Sequence, residues 1–522
     1  MKITQFNRTV TALLGLLGLF GIVVSCSKPE SVDWDKLYKH YSAEDDSVKF
    51  EAVRLLEANL SKHHSAIIGL QNPSTSEVVY LHGSRKSIKA TDNLGEMLRT
   101  GWIARQELIN DLDLLTTERL IEEIDISYDA WIRSPWFRDT PKWVYLNYLL
   151  PYRVDTEYAD PWRSELDNQI RIEAEKWCES QQLLYEADPK KFISDYITYF
   201  VRKEQENIYI YDDQTPSIRT FPSFTEMKYL KQGECYMGSA AATFYMRSAG
   251  LPTAIDIIPY WGSINGSHSL DVHWDPEDQL MVKEFPFEHS VCKIFRKTFQ
   301  YEGLWTDSLA FLPEPDKFPI AFLKNDHLAD VTSEHVPTHD VHFKVPTDMT
   351  SPVAYICVYS YGQWQPVFWG KIVNGKTIFK NMGANVFYRI AVPDNNGRLS
   401  FISTMFYLDA MGEQILPEVT NGLEQRVEVK RINHGQEAYV KKGREYALFV
   451  MDNQGDERFV EAKRCEQDSS LYFEQAPVSK YYILKEQSSQ RNLSRFFSYE
   501  DGTQDWLFAL DSTIFKQNFG WK

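Results

Sequence analysis

Cys235, His268 and Glu284 are the residues whose types and spacing can do chemistry together in this chain. A thiol used as a nucleophile needs a lowered pKa, a nearby imidazole and a group that orients the imidazole. In "KQGECYMGSAAATFYMRSAGLPTAID" (231–256), good helix formers follow Cys235, with Met237, Ala241 and Phe244 on one stripe and Gly250 placed to end the helix. The thiol is therefore expected at a helix N-terminus, where the positive end of the dipole favours thiolate. His268 begins a strand after the Asn265-Gly266 turn. The turn-like "DPED" (275–278) predicts a hairpin centred on Pro276 that sets His268 opposite Glu284. From there the carboxylate accepts the second ring N–H; a loop one residue longer or shorter makes it a diagonal neighbour. Gln232, with the backbone N–H of Cys235, is a candidate oxyanion donor, and Tyr260-Trp261 a candidate wall of a substrate cleft. His273 falls on the opposite face of the strand and reads as structural.

Those residues must be positioned by a long chain. Its 522 residues exceed one core and predict several domains. A composition of 43% hydrophobic, 14% aromatic and 25% charged residues is that of a globular protein. The net charge of −17 excludes nucleic acid as a partner, since phosphate binding needs a basic surface. Residues 1–26 have a basic start (Lys2, Arg8), an apolar run of 15 residues from Val10 to Val24, and Cys26 after a small residue. That pattern predicts a secretory signal with Cys26 as the lipidation site, the run being short for a bilayer span. The other five cysteines are scattered, with no CxxC or Cys/His cluster, so neither a disulfide scaffold nor a metal site is expected. No cofactor is implied.

The pattern then divides. Residues 27–45 read as a polar tether, and 46–205 as a mainly helical region through "VKFEAVRLLEANL", "LGEMLRTGWIARQELINDLDLL", "TERLIEEIDISYDAWI" and "PWRSELDNQIRIEAEKWCESQQLL". Arg153, Trp162 and Arg163 are expected to brace that region against the core. Residues 206–325 are mixed α and β. Short strands and hairpin signals such as Asn374-Gly375 predict a β-sandwich over 326–418 and a second sandwich-like domain over 419–522. The fold class is multidomain α+β.

"GEC" opening a helix that ends "RSAGLPT", then a strand, "HSLDV", and an acid 16 residues after the histidine together resemble the transglutaminase-like (papain-related) cysteine-enzyme superfamily over about 206–290. The resemblance implies Cys235 as nucleophile, His268 as general base and Glu284 as orienting acid. Glu284 stands where the family carries Asp, and Leu270 where it often carries Trp. "VVSC" resembles a bacterial lipobox, and "LLPYRVDTEYADPWR" and "DVTSEHVPTHDV" resemble segments of Bacteroidota-type lipoproteins. The implied protein is an exported, lipid-anchored peptidase or amidase at the outer membrane, acting on peptide or protein amides, cell-wall or host peptides among them. A non-catalytic surface lipoprotein that binds peptide or glycan is the alternative.

Overall fold

The computed structural model describes residues 32–42, 47–80, 97, 100–134, 137–202, 221–230, 234–283, 287, 289–303, 325–394, 398–433, 438–452, 456–487 and 493–506. Cys26, Gln232 and Glu284 lie outside them.

The expected tether contains a helix. α1 (Trp34–His40) is capped by Asp33, whose side chain accepts from the Lys36 amide, and it buries Leu37. α2 (Ser47–Leu60) buries Val53, Leu56 and Leu60 as the 3.6-residue pattern requires. The region read as mainly helical then departs from expectation. β1 (His64–Gln71), β2 (Val78–Tyr80) and β3 (Ile103–Asn110) form an antiparallel sheet of order β2-β1-β3. "IARQELIN" pairs with β1 over its whole length, His64 to Asn110 and Gln71 to Ile103, and that non-local ladder overrides its helical composition. Helices resume with α3 (Thr117–Arg133), α4 (Trp162–Ser180) and α5 (Pro189–Tyr196).

The mixed core holds α6 (Phe224–Leu230), α7 (Cys235–Ser248) and an antiparallel sheet of order β6-β5-β4-β7-β8. Its strands are β4 (Thr253–Ile258), β5 (His268–Asp275), β6 (Leu280–Val282), β7 (Phe295–Lys297) and β8 (Leu328–Asp330). α7 ends where expected: Gly250 follows it at φ +84°, and a Cβ there would stand 2.5 Å from the Ala130 carbonyl oxygen. Ile255 and Ile257 of β4 pack with α7, α4 and α5. The alternate residue Ile258 packs on the other side with Trp261, Phe287 and Val291.

Two β modules follow. β10 (Val353–Ser360), β11 (Gln363–Lys371), β13 (Val386–Pro393), β14 (Leu399–Phe401), β15 (Phe406–Leu408) and β16 (Gln414–Ile415) form one sheet. β9 (Thr338–Lys344) and β12 (Lys376–Gly383) form the other. Between them lie Val341, Ile356, Phe379, Met382 and Ile390. Asn374 and Gly375 both have positive φ, as the expected two-residue turn demands. That turn carries the chain from one sheet to the other. Gly383 is fixed more tightly: a Cβ on it would lie 1.8 Å from the Val291 carbonyl oxygen. Gly383→Ala is expected to cost about 3 kcal/mol in chemical denaturation, because backbone must move; a loss under about 1 kcal/mol would show that this contact yields.

The second module pairs β17 (Val419–Val429) with β20 (Leu471–Ser479). It stacks them on a sheet of β18 (Glu445–Met451), β19 (Glu457–Arg464), β21 (Tyr482–Glu486), β22 (Phe496–Glu500) and β23 (Thr503–Asp505). Several contacts tie it to the rest. Arg495 is buried, and its guanidinium donates to the carbonyls of Tyr359 in the first sandwich and Gly262 in the core. Beside it, Asn265 donates to the Leu493 carbonyl (3.0 Å) and accepts from the Tyr361 amide (2.9 Å).

Candidate active site

Cys235 is the first residue of α7, after Glu234 in extended conformation as N-cap. Among the five described cysteines it is the one not fully buried. α7 lies along β5: Ser239, one turn beyond Cys235, donates its hydroxyl to the Ser269 carbonyl (3.1 Å). The Ser269 amide in turn faces the Cys235 sulfur. The thiol thus sits at the start of the strand that His268 opens.

Its electrostatics run against the expectation of a thiolate. Burial is the largest influence and raises the Cys235 pKa above the ordinary thiol value. The Glu234 charge adds to the rise, while the amides of Ser269, Tyr236 and Cys235 itself offset only part of it. A helix-dipole contribution is on the order of 0.3–1 kcal/mol at an exposed end, smaller than the penalty for taking a thiolate out of water. The resting group is a thiol.

His268 stands at the head of β5, opposite Ile258, with Ser269 opposite Ile257. Cross-strand partners share a face. Ser269 therefore lies on the α7 side, and His268 on the side of Ile258. The His268 ring stacks on Trp261 at 5.6 Å between centroids and 25° between planes. Trp261 also meets the edge of His289 at 5.4 Å. Burial, then the neighbouring His289, lowers the His268 pKa below that of a free imidazole. Among the described residues no hydrogen bond joins Cys235 to His268. The structure brings the two to adjacent backbone positions without pairing thiol and ring.

The hairpin argument for Glu284 rests on a register the structure corrects. The expected pairing sets residue 279 opposite His273, whereas His273 pairs with Val282, Trp274 with Met281 and Asp275 with Leu280. The turn occupies residues 276–279, with Gln279 at φ +53°. Asp275 stays in the strand, where its side chain accepts from the amides of Glu277 and Asp278.

Of the expected cleft wall, Trp261 is 8% exposed and forms the floor under His268. Tyr260 turns away from it. Its side chain packs with the first sandwich, its hydroxyl reaches Gln365 at 3.5 Å, and its carbonyl accepts from the Cys292 thiol. Leu270 packs into the apolar layer beneath β5. His273 is nearly buried on the α7 side, opposite Thr253.

Arg153, Trp162 and Arg163 brace the helices as expected. Arg153 pairs with Asp111, Arg163 with Glu123 (2.8 Å), and the Trp162 indole donates to the Tyr152 carbonyl while its ring packs on Phe244 of α7.

Two features escaped the sequence. His289 becomes a neighbour of His268 only through Trp261. On the same face, Asp256 of β4 accepts both Nε and Nη2 of Arg296 (2.8 and 2.9 Å) and lies 2.6 Å from His335 Nε2. Arg296 also donates to Glu334 at 2.8 Å. An acid inside the apolar strand "TAIDII" is the one signal that pointed to such a partner. Among the described residues no group of three or more His, Cys, Asp or Glu side chains is arranged to hold a metal ion.

No protein-family model and no curated protein sequence matches the chain. Among solved structures it is similar to a red sea bream transglutaminase, at 10% identity over 82% of this chain and 90% of that one, with a TM-score of 0.20. A likeness of that size assigns neither fold nor activity.

Proposed function

We propose that this chain is an exported, lipid-anchored hydrolase whose transglutaminase-like core cleaves amide bonds through a thioester on Cys235. One observation carries the reading. The partly exposed cysteine opens α7 with its sulfur at the Ser269 amide, one residue from His268.

The chemistry starts from neutral groups. The reaction requires the His268 ring to leave Trp261 and swing round the open end of β5 to the α7 side, where it takes the thiol proton as sulfur attacks the amide carbonyl. The S–C bond forms, and the oxyanion takes the backbone N–H of Cys235, with Gln232 as the candidate second donor. As the C–N bond breaks, the imidazolium returns its proton to the leaving amine. Water then attacks the thioester, giving up a proton through His268, and the carboxylic acid leaves as the thiol re-forms. Glu284 is the candidate acid that orients His268. Water as the acceptor makes the protein a peptidase or amidase, with peptides of the cell envelope or a host as substrates, at the outer membrane through Cys26.

A second reading is favoured by the ring stacked away from the thiol and by the raised thiol pKa. In it the core is a non-catalytic module of a surface lipoprotein that binds peptide or glycan. Iodoacetamide labelling in a Cys26→Ser background separates the two. The hydrolase requires Cys235 to react at least about tenfold faster than Cys178, Cys292, Cys357 and Cys465. That fast phase should vanish in Cys235→Ala and slow in His268→Ala. Equal rates for all five cysteines would remove the hydrolase reading.

A further inference from the structure

A cavity of about 280 Å³ opens where the start of β1, the 153–156 segment, the end of α7 and the end of β7 meet. Its walls carry the cations Lys62, Arg153, Arg247 and Lys297, with the acids Asp155 and Asp326. Two of the cations are already matched. Arg153 pairs with Asp111 behind the wall, and Lys297 Nζ lies 2.5 Å from Asp155. Glu157, near both arginines, accepts from the amides of Val154 and Asp155 (2.5 and 2.6 Å).

Arg247 is different. It is 3% exposed, and its guanidinium donates only to carbonyls: Nε to Thr253 (3.0 Å), and Nη1 to Pro151 (3.1 Å) and Arg153 (2.8 Å). Among the described residues its Nη2 has no hydrogen-bond partner, and no carboxylate forms an ion pair with it. A buried guanidinium that no carboxylate contacts, with the nearby Glu157 committed to backbone amides, is costly, and here the residue lines open space. At the mouth, the Lys62 ammonium sits 3.8 Å over the Tyr301 ring, also without a carboxylate among the described residues. A cavity of this volume has room for a small polar group, free or at the end of a larger ligand.

We propose that this cavity binds a small oxyanion, a carboxylate or a phosphate group, held by Arg247 Nη2 from within and by Lys62 at the mouth. Planar forked donors and a mobile ammonium are the two devices by which proteins take up such groups. The site is independent of Cys235 and stands or falls without the thioester chemistry.

Calorimetric titration of the full chain with sodium phosphate, and separately with sodium succinate, at constant ionic strength in chloride tests it. Saturable binding of at least one anion is expected, weakened about tenfold or more in Lys62→Glu and retained in Lys62→Arg. Phosphate alone would identify a phosphoryl ligand, and succinate alone a carboxylate. Lys62 is exposed, so its variants fold even if Arg247→Gln does not. Absence of saturable binding by either anion overturns the proposal, as does unchanged affinity in Lys62→Glu.

Discussion

Arg296→Met is expected to destabilise the protein by about 3–5 kcal/mol, the cost of leaving a buried charge without its partner. The charge left behind is Asp256, wholly buried in the middle of the core sheet and held by two guanidinium bonds. His335 alone cannot replace them, and Glu334 would lose its partner as well. The urea midpoint of the transition that melts this sheet measures the effect. Asp256→Asn added to Arg296→Met should recover part of the loss, because the stranded charge is then gone. A loss below about 1 kcal/mol in the single variant would mean that water reaches Asp256. The network also sets a pH dependence. Burial pushes the Asp256 pKa up, but Arg296, with His335, outweighs it and holds the group below the usual carboxylate range. A depressed folded-state pKa means stability that is complete above about pH 4 and lost as pH falls through the lower folded value.

Alkylation of Cys235 is expected to climb about tenfold per pH unit between about pH 7 and 9, with no plateau near neutrality. The direction follows from both partners. Burial and then Glu234 raise the thiol, while burial and then His289 lower the imidazole, so neither is charged at neutral pH. A preformed thiolate–imidazolium pair would instead give a rate nearly flat across that range. Glu234→Gln removes the charge that opposes the thiolate, and should raise the rate at about pH 8 severalfold. A neutral plateau, or no response in Glu234→Gln, would show that the helix start prevails over burial after all.

The helices around the candidate site were legible because each buries one stripe. Val53, Leu56 and Leu60 of α2, and the apolar face of α3, return at helical spacing. The helix start at Cys235 and the strand start at His268 were legible from local signals, and the Asn374-Gly375 turn from its chemistry. What failed was non-local. β3 looked helical because Arg105 and Glu107 interrupt its apolar residues, and only its ladder with β1 makes it a strand. The β5–β6 register depended on which four residues turn, and Gln279 at positive φ joins the turn in place of Asp275. The face of His268 is set by its pairing with Ile258, and the thiol pKa by how deeply α7 sinks into the core. Asp256 meets Arg296 and His335 across 40 and 79 residues, where spacing carries no signal.

Arg495 bears on how this chain can be divided. Tandem β modules are commonly treated as beads that can be cut free or exchanged. Here the last bead reaches back: Arg495 closes on Gly262 and Tyr359, and Tyr359, Phe387 and Met405 share one apolar layer with Met451, Tyr481 and Phe496. A chain ending at the seam after residue 418 would bare that layer and strip Gly262 of its donor, six residues before His268 opens β5. The C-terminal module is therefore a keystone for the candidate site rather than an appendage, and a shortened protein would be a poor proxy for the whole.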